Sequence, residues 1–451
     1  MIRFICYILL FLLILFNKAY SLTVYEVIER VVNNSPELRV IFEKKNQAIE
    51  DYKDQRSGYL PQIYTILNRE YQKDDPLTAP GESSYTSINK LQVFVEQRIF
   101  DMEQITKIVK QAQVVQTQEF ENQKLLESLI QMAIAAYYDV IQAEYMTSIY
   151  KEYLRQVRDI EQLTISMRKQ GDSTLADVNL AQSRVADANS ELISSQANLD
   201  KVKLRLAYLL NLVEKNQLTQ SGSVLPTLTD KDFYDLADKV IVALPLTPET
   251  LINRVLSNNV DILTLRSSLC SMGYDLEIQK SRYLPVVNLI TELRSEEERT
   301  NNSFDRYGKV SIEARYSIYE GGSRASGVRK YSSIIKEQEY QYDILVRDTS
   351  DKAFSALNIL RSYEQQRISV LKEIETVEEV DRMYNMQFQF ANRNLTDRLD
   401  NLERLTNARI KLVNVDYSIL FSRLQILMLM GDFVEFFGFQ NYLEVSNLKL
   451  C

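Results

Sequence analysis

The chain repeats itself once. Tyr59-Leu60-Pro61 returns as Tyr283-Leu284-Pro285, with residue 283 lying 224 positions after residue 59. The same offset sets Arg30-Val31-Val32-Asn33-Asn34 over Arg254-Val255-Leu256-Ser257-Asn258. Downstream it shortens: Ile99-Phe100-Asp101 lies over Ile318-Tyr319-Glu320 at 219, and Leu175-Ala176-Asp177 over Leu395-Thr396-Asp397 at 220. Four ordered matches at nearly constant spacing describe two equivalent halves of one structure, and the period is too long for a solenoid. Any fold for this chain is therefore built twice.

Proline placement says what each half contains. The eight prolines leave two long free runs, from Pro80 to Pro226 and from Pro285 onward. Proline-free stretches with few glycines permit very long helices. After a first helical segment, Leu22 to about Arg56, the reading predicts long helices over Met102 to about Lys169 and Ser323 to about Phe390. At 1.5 Å per residue each would reach on the order of 100 Å. Turns follow at Gln170-Gly171-Asp172-Ser173-Thr174 and Ala391-Asn392-Arg393-Asn394. The returning helices carry spacings of three and four. These are Val178, Ala181, Val185, Ala188, Leu192, Ser195, Leu199, Val202, Leu206 and Leu209, then Leu405, Ala408, Leu412, Val415, Ile419, Ser422, Ile426 and Leu429. A sustained 3.5-residue repeat coils helices around neighbours, and small residues let them approach closely. An ordinary helical bundle would also show such a stripe.

Before each long helix comes a strand pair. In the first copy Leu91, Val93, Val95 and Ile99 alternate with Lys90, Gln92, Glu96 and Arg98. In the second, Val310, Ile312, Ala314, Tyr316 and Ile318 alternate with Lys309, Ser311, Glu313, Arg315 and Ser317. Period two means one apolar and one polar face. The apolar face meets a core in a soluble protein, or lipid in a membrane barrel whose polar face lines a lumen. Alternation alone leaves both readings open.

The N-terminus reads as an export signal: Arg3, the apolar run Phe4 to Phe16, and Ala19-Tyr20-Ser21 before a cleavage point at Leu22. The other reading is a membrane anchor, for which this run is short. The chain has a net charge of −8, and removal of Arg3 and Lys18 makes the mature chain more acidic. Nucleic acid is thus a poor partner, since phosphates need cations. Cys270 and Cys451 alone remain after cleavage and make no disulfide scaffold. There is no histidine, so the commonest general base and metal ligand are missing. No catalytic role, cofactor or metal site is expected, and the carboxylates read as solvated helix faces.

Taken together, Ser35-Pro36-Glu37-Leu38-Arg39, Leu60-Pro61-Gln62, Ile99-Phe100-Asp101-Met102, Ile318-Tyr319-Glu320-Gly321-Gly322 and Thr406-Asn407-Ala408-Arg409 resemble the TolC family of outer-membrane efflux and secretion channels. Each motif is short, and their ordered set, with the duplication, covers the whole mature chain. The resemblance implies a mainly α fold with a membrane β-barrel. Three chains would share one twelve-stranded barrel, continued by a periplasmic α-helical tunnel. The division expected is a signal peptide at 1–21, repeats at 22–215 and 249–432, a connector at 216–248 and an equatorial tail at 433–451. The function implied is a passive exit duct in the cell outer membrane of a Gram-negative type envelope, contacting outer-membrane lipid. It would work with a periplasmic adaptor (membrane fusion) protein and an inner-membrane efflux pump or ABC exporter. An exported soluble coiled-coil scaffold or adhesin is the alternative. The resemblance also implies a periplasmic gate of Asp397 and Asp400, six carboxylates in a homotrimer, held shut through Arg393, Asp177 and Phe388. Phe388 stands where the family example has a tyrosine, Ala391 replaces a turn glycine, and Arg398 adds a charge between the aspartates. Adaptor contacts are implied at the hairpin tips Gly171, Asp172, Ser173, Thr174, Ala391 and Asn392.

Overall fold

The computed structural model describes residues 22–74, 84–212, 236, 239–240, 247–298, 303–389 and 394–440. The signal segment, nearly all of the connector and the tail beyond residue 440 lie outside these residues. The chain divides into two compact units. One comprises Met1–Arg39, Gln123–Asn259 and Arg347–Leu443; the other comprises Val40–Asn122, Val260–Val346 and Glu444–Cys451.

The second unit holds the strands β1 (Gln62–Asp74), β2 (Ser84–Phe100), β3 (Val286–Glu298) and β4 (Ser303–Arg315). They form one antiparallel sheet in the order β1-β2-β3-β4. The register puts Ile63 beside Val95, Val93 beside Leu293, and Leu289 beside Ile312. All of these lie on one face, because side chains alternate. Among the described residues of its own unit no core covers that face: Ile63 is 71% exposed, Leu67 79%, Val310 72% and Ile312 74%. The opposite face is a polar ladder. Lys90 donates to Glu70 (3.0 Å), Gln92 to Glu292 (2.9 Å), Asn288 to Glu96 (3.1 Å) and Tyr307 to Glu292 (3.1 Å). Both outer strands, β1 and β4, end the sheet without closing it.

Each strand pair is clamped to the helix that follows. In the first copy Arg98 bonds Asp101 (2.9 Å) and Gln104 (3.0 Å), and Gln104 donates to the Gln55 carbonyl (2.5 Å). In the second copy Glu320, which matches Asp101 in the repeat, accepts from Arg282 (3.1 Å) and Arg324 (3.0 Å).

Helices complete both units: α1 (Val24–Asn34), α2 (Pro36–Ser57), α3 (Met102–Gln170), α4 (Leu175–Leu209), α5 (Pro248–Asn258), α6 (Val260–Ser281), α7 (Ser323–Gln389), α8 (Leu395–Leu429) and α9 (Phe433–Phe436). The single helical segment expected over Leu22 to Arg56 is in fact two helices. Ser35 turns extended (φ −67°, ψ 122°) because Pro36 disfavours helix at the residue before it. The second copy breaks at the same place without a proline. Asn259 is buried there and extended, and its side-chain amide donates to the Leu429 carbonyl (3.0 Å).

Within the first unit, α3 packs on α4 through Thr147–Ser195 (2.9 Å) and Lys203–Glu144 (2.7 Å). It packs on α8 through Gln142–Asn414 (2.9 Å) and Tyr417–Asp139 (2.5 Å). On its other side α8 meets α7 through Arg367–Asp416 (2.6 Å) and Arg423–Glu364 (2.9 Å). The predicted stripes face inward, and Ala181, Ala188 and Ala408 are buried, as close helix approach requires. Although α8 is long and apolar enough to cross a membrane, Val415, Ile419, Leu420, Leu424 and Leu427 belong to this unit's core. Gly431, at φ +75°, closes that core: a Cβ there would overlap the Asn258 carbonyl.

Candidate functional site

The tips of the helical hairpins lie in the first unit, where the ends of α3 and α7 meet the starts of α4 and α8. Beneath them sits a small apolar cluster of Tyr153, Leu154, Val157, Ile160, Ala181, Ala188, Leu395, Leu399 and Leu402. Leu395, Leu399 and Leu402 occupy one face of α8 at helical spacing, so its opening turns are fixed against the first hairpin.

The first tip is built by local chemistry. Gly171 takes φ +91°, and the Asp172 N–H reaches back to the Met167 carbonyl (2.9 Å), closing α3 in a Schellman-type end. Thr174 then caps α4. Its hydroxyl accepts from the Asp177 N–H (3.1 Å), while Asp177 Oδ2 accepts from the Thr174 N–H (2.9 Å), the Thr174 hydroxyl (2.7 Å) and the Ser173 hydroxyl (3.2 Å). The described partners of Asp177 are thus those of a capping box. These bonds, the Thr174 N–H foremost, hold its carboxyl below the usual carboxylate range.

A depressed folded pKa contributes stability above the unfolded value, about 3.9, and that contribution is lost as pH falls through the folded value. Asp177 is half-buried at the surface, so solvent partly screens the effect. The tip is expected to be equally protected at pH 7 and pH 5 and to fray only below about pH 4. Hydrogen exchange of the 171–179 segment, corrected for intrinsic rates, checks this; Asp177→Asn should fray at all pH values alike. Unchanged protection in that variant would exclude the capping role.

At the second tip, Ala391, Asn392 and Arg393 lie outside the described residues, as does the Phe388 side chain. Asn394 caps α8, accepting from the Thr396 N–H (3.2 Å). Asp397 is half-buried and Asp400 exposed. Asp400 accepts from Arg184 of α4 (2.9 Å), and the same guanidinium donates to Glu403 (2.8 Å). One arginine of the first hairpin therefore forks onto two carboxylates of the second, a turn apart. Tyr153 lies close by; burial raises its hydroxyl pKa, with Glu403 adding and Arg184 opposing. Arg398 reaches α7, donating to Asn385 (2.7 Å). Burial lowers its pKa, against the pull of Asp381 and Asp159.

The structure thus joins Asp400 to Arg184, and places Asp177 in its own turn. Arg184, Glu403 and Tyr153 escape the sequence reading. Their available signal is the acidic spacing Asp397, Asp400, Glu403 opposite a cation that flanks the apolar stripe at Val185.

Comparison with known proteins gives concordant results. The family described as Outer membrane efflux protein matches residues 27–212. Outer membrane protein TolC of Vibrio cholerae is 25% identical over 434 residues, covering 91% of each chain. The alkaline protease secretion protein AprF of Pseudomonas aeruginosa is 22% identical over 365 residues, covering 77% of this chain and 72% of AprF. The fold is that of the outer-membrane channel OprN, with TM-score 0.77 at 17% identity over 90% of this chain and 89% of that one. The Campylobacter jejuni CmeC outer membrane channel superposes similarly, with TM-score 0.76 at 15% identity over 91% of this chain and 86% of CmeC.

Proposed function

We infer the activity from the premise that this chain belongs to the TolC family of outer membrane efflux proteins: it is the outer-membrane exit duct of a tripartite efflux or type I secretion system. The observation that carries this is the sheet. Its apolar face is bare, its polar face is cross-linked, and both edges are open. A water-soluble scaffold would expose a large apolar surface that nothing relieves. In lipid that surface is the favourable one, but lipid tolerates no open strand edge. Closure needs further copies, and three chains of four strands each make a twelve-stranded barrel.

The duct is passive, with energy and choice of cargo supplied by an inner-membrane efflux pump or ABC exporter through a periplasmic adaptor. Cargo is small molecules or proteins. Catalysis has no place in this scheme. The gate is assigned to Asp397 and Asp400, with Arg393, Asp177 and Phe388 as closing contacts. The adaptor is assigned to the tips at Gly171, Asp172, Ser173, Thr174, Ala391 and Asn392.

Native mass measurement in mild detergent tests this reading. The expected species is a trimer, which gains the adaptor's mass when adaptor is added. Ser173→Trp should remove the added adaptor and keep the trimer. A monomer that needs no detergent would overturn the duct itself, whereas adaptor retained by the variant would overturn the tip assignment.

A further inference from the structure

The face of the sheet assigned to lipid is not uniform along its length. From the line Leu67–Leu91–Ser295 to the line Val287–Ala314, its described strand positions carry no charge apart from Arg306 at the first line. That is eight residue steps of β3, from Val287 to Ser295, about 27 Å along the strand, or about 20 Å of membrane depth at a ~40° tilt. At that first line and beyond it, toward the two hairpin turns, the same face changes character. Arg69, Lys73 and Arg306 all project there, on the parity of Leu67 and Val310. Each cation sits against a ring: Arg69 over Tyr71 at 5.1 Å, Lys73 over Tyr85 at 6.0 Å and Arg306 over Phe304 at 4.6 Å. Among the described strand positions one carboxylate shares the patch, Glu297, which accepts from Asn89 (3.2 Å). The opposite end of the face, at Gln97, Val287 and Ala314, has no cation.

We propose that Arg69, Lys73 and Arg306, held by their aromatic neighbours, form a binding surface for phosphate-bearing lipid headgroups in the outer leaflet. The inference rests on the barrel reading, which points the hairpin turns away from the periplasm. Cations that served only solubility would be free to lie on the lumen side, where water is available. These three instead share the apolar side, at the depth where an apolar surface gives way to headgroups. Aromatic rings suit that boundary, and ring faces add attraction for a guanidinium or ammonium. Three cations against one carboxylate leave the patch positive, which complements phosphate rather than zwitterionic or sugar surfaces. Arg69 lies on one edge strand and Arg306 on the other. When copies join edge to edge, one chain's Arg306 comes onto the strand next to the following chain's Arg69. A headgroup with two phosphates separated by a disaccharide could then be held from both sides.

The test titrates purified trimer, by native mass spectrometry, with a bis-phosphorylated disaccharide lipid and with its phosphate-free analogue bearing the same acyl chains. The expected preference for the phosphorylated lipid is about tenfold or more, since the cations attract anionic headgroups at the membrane surface. The variant Arg69→Gln, Lys73→Gln, Arg306→Gln should lose that preference to within about twofold, and Arg69→Lys with Arg306→Lys should keep most of it. Lys90→Gln and Lys309→Gln, on the polar face, should change nothing. A preference that survives the triple glutamine variant, an equal response to the phosphate-free lipid, or displacement by equimolar inorganic phosphate would each overturn the proposal. Failure of the barrel reading is seen separately, because the trimer's mass is read in the same spectra before any lipid is added.

Discussion

Arginine in place of Val310 is expected to destabilise the inserted barrel by roughly 2–4 kcal/mol, whereas Ser311→Arg is expected to assemble normally. The two residues are neighbours on β4 and project to opposite faces. Val310 is 72% exposed on the apolar face, in the line that runs Ile63, Val95, Thr291, Val310. That line falls midway between the rim cations and the helix end of the strands, so it marks the bilayer midplane. Ser311 is half-buried on the polar face, near the Ile290 carbonyl. A charge at Val310 would have no water and no partner in hydrocarbon, while one at Ser311 would join the polar ladder. Ile312→Arg, one step nearer the interface, should fall between them. Folding into lipid vesicles under a urea gradient measures all three. Equal losses from Val310→Arg and Ser311→Arg would refute the assignment of faces.

That the faces of the strands could be read from sequence follows from the period of two, although β4 ends at Arg315 and leaves out Tyr316 and Ile318, which the alternation includes. One residue of slippage would exchange every apolar and polar position, so the pattern at Val310, Ile312 and Ala314 specifies the face as soon as the strand is recognised. What alternation could not say is which solvent the apolar face meets. The bare sheet decides that, because no helix of its own unit covers Ile63 or Ile312. Helix breaks were harder. Pro36 marks the first plainly, but Asn259 marks the second only through the Leu429 carbonyl, 170 residues away, which no local rule can supply. Arg184 was invisible for a related reason. The heptad stripe names the residues that pack and is silent about charges beside it. Which of many surface cations meets Asp400 depends on how α4 lies against α8.

The entrance should open when that arginine is reversed. Arg184→Glu replaces a fork onto Asp400 and Glu403 with three like charges on adjoining hairpins. Both native pairs are partly exposed, with Arg184 at 29% and its partners at 53% and 45%, so each contributes only about 0.5 kcal/mol. A trimer multiplies the effect: six such pairs sum to about 3 kcal/mol, or roughly a hundredfold in a closed-to-open equilibrium. Repulsion in the reversed variant adds to this. Single-channel conductance in planar bilayers is expected to rise in Arg184→Glu and to return toward the parent when Asp400→Lys and Glu403→Lys are added. Arg393→Ser should raise conductance by the same logic if it holds the second hairpin as assigned. The aspartates have a separate signature. Under the proposed gate, six carboxylates around a narrow opening would attract multivalent cations, so Asp397→Ala with Asp400→Ala should abolish block from the periplasmic side without requiring the entrance to widen. The two readouts part the hypotheses. Block retained in the double alanine variant would remove Asp397 and Asp400 from the pore lining. Unchanged conductance in Arg184→Glu, with trimers intact, would show that the fork braces the hairpins without closing them.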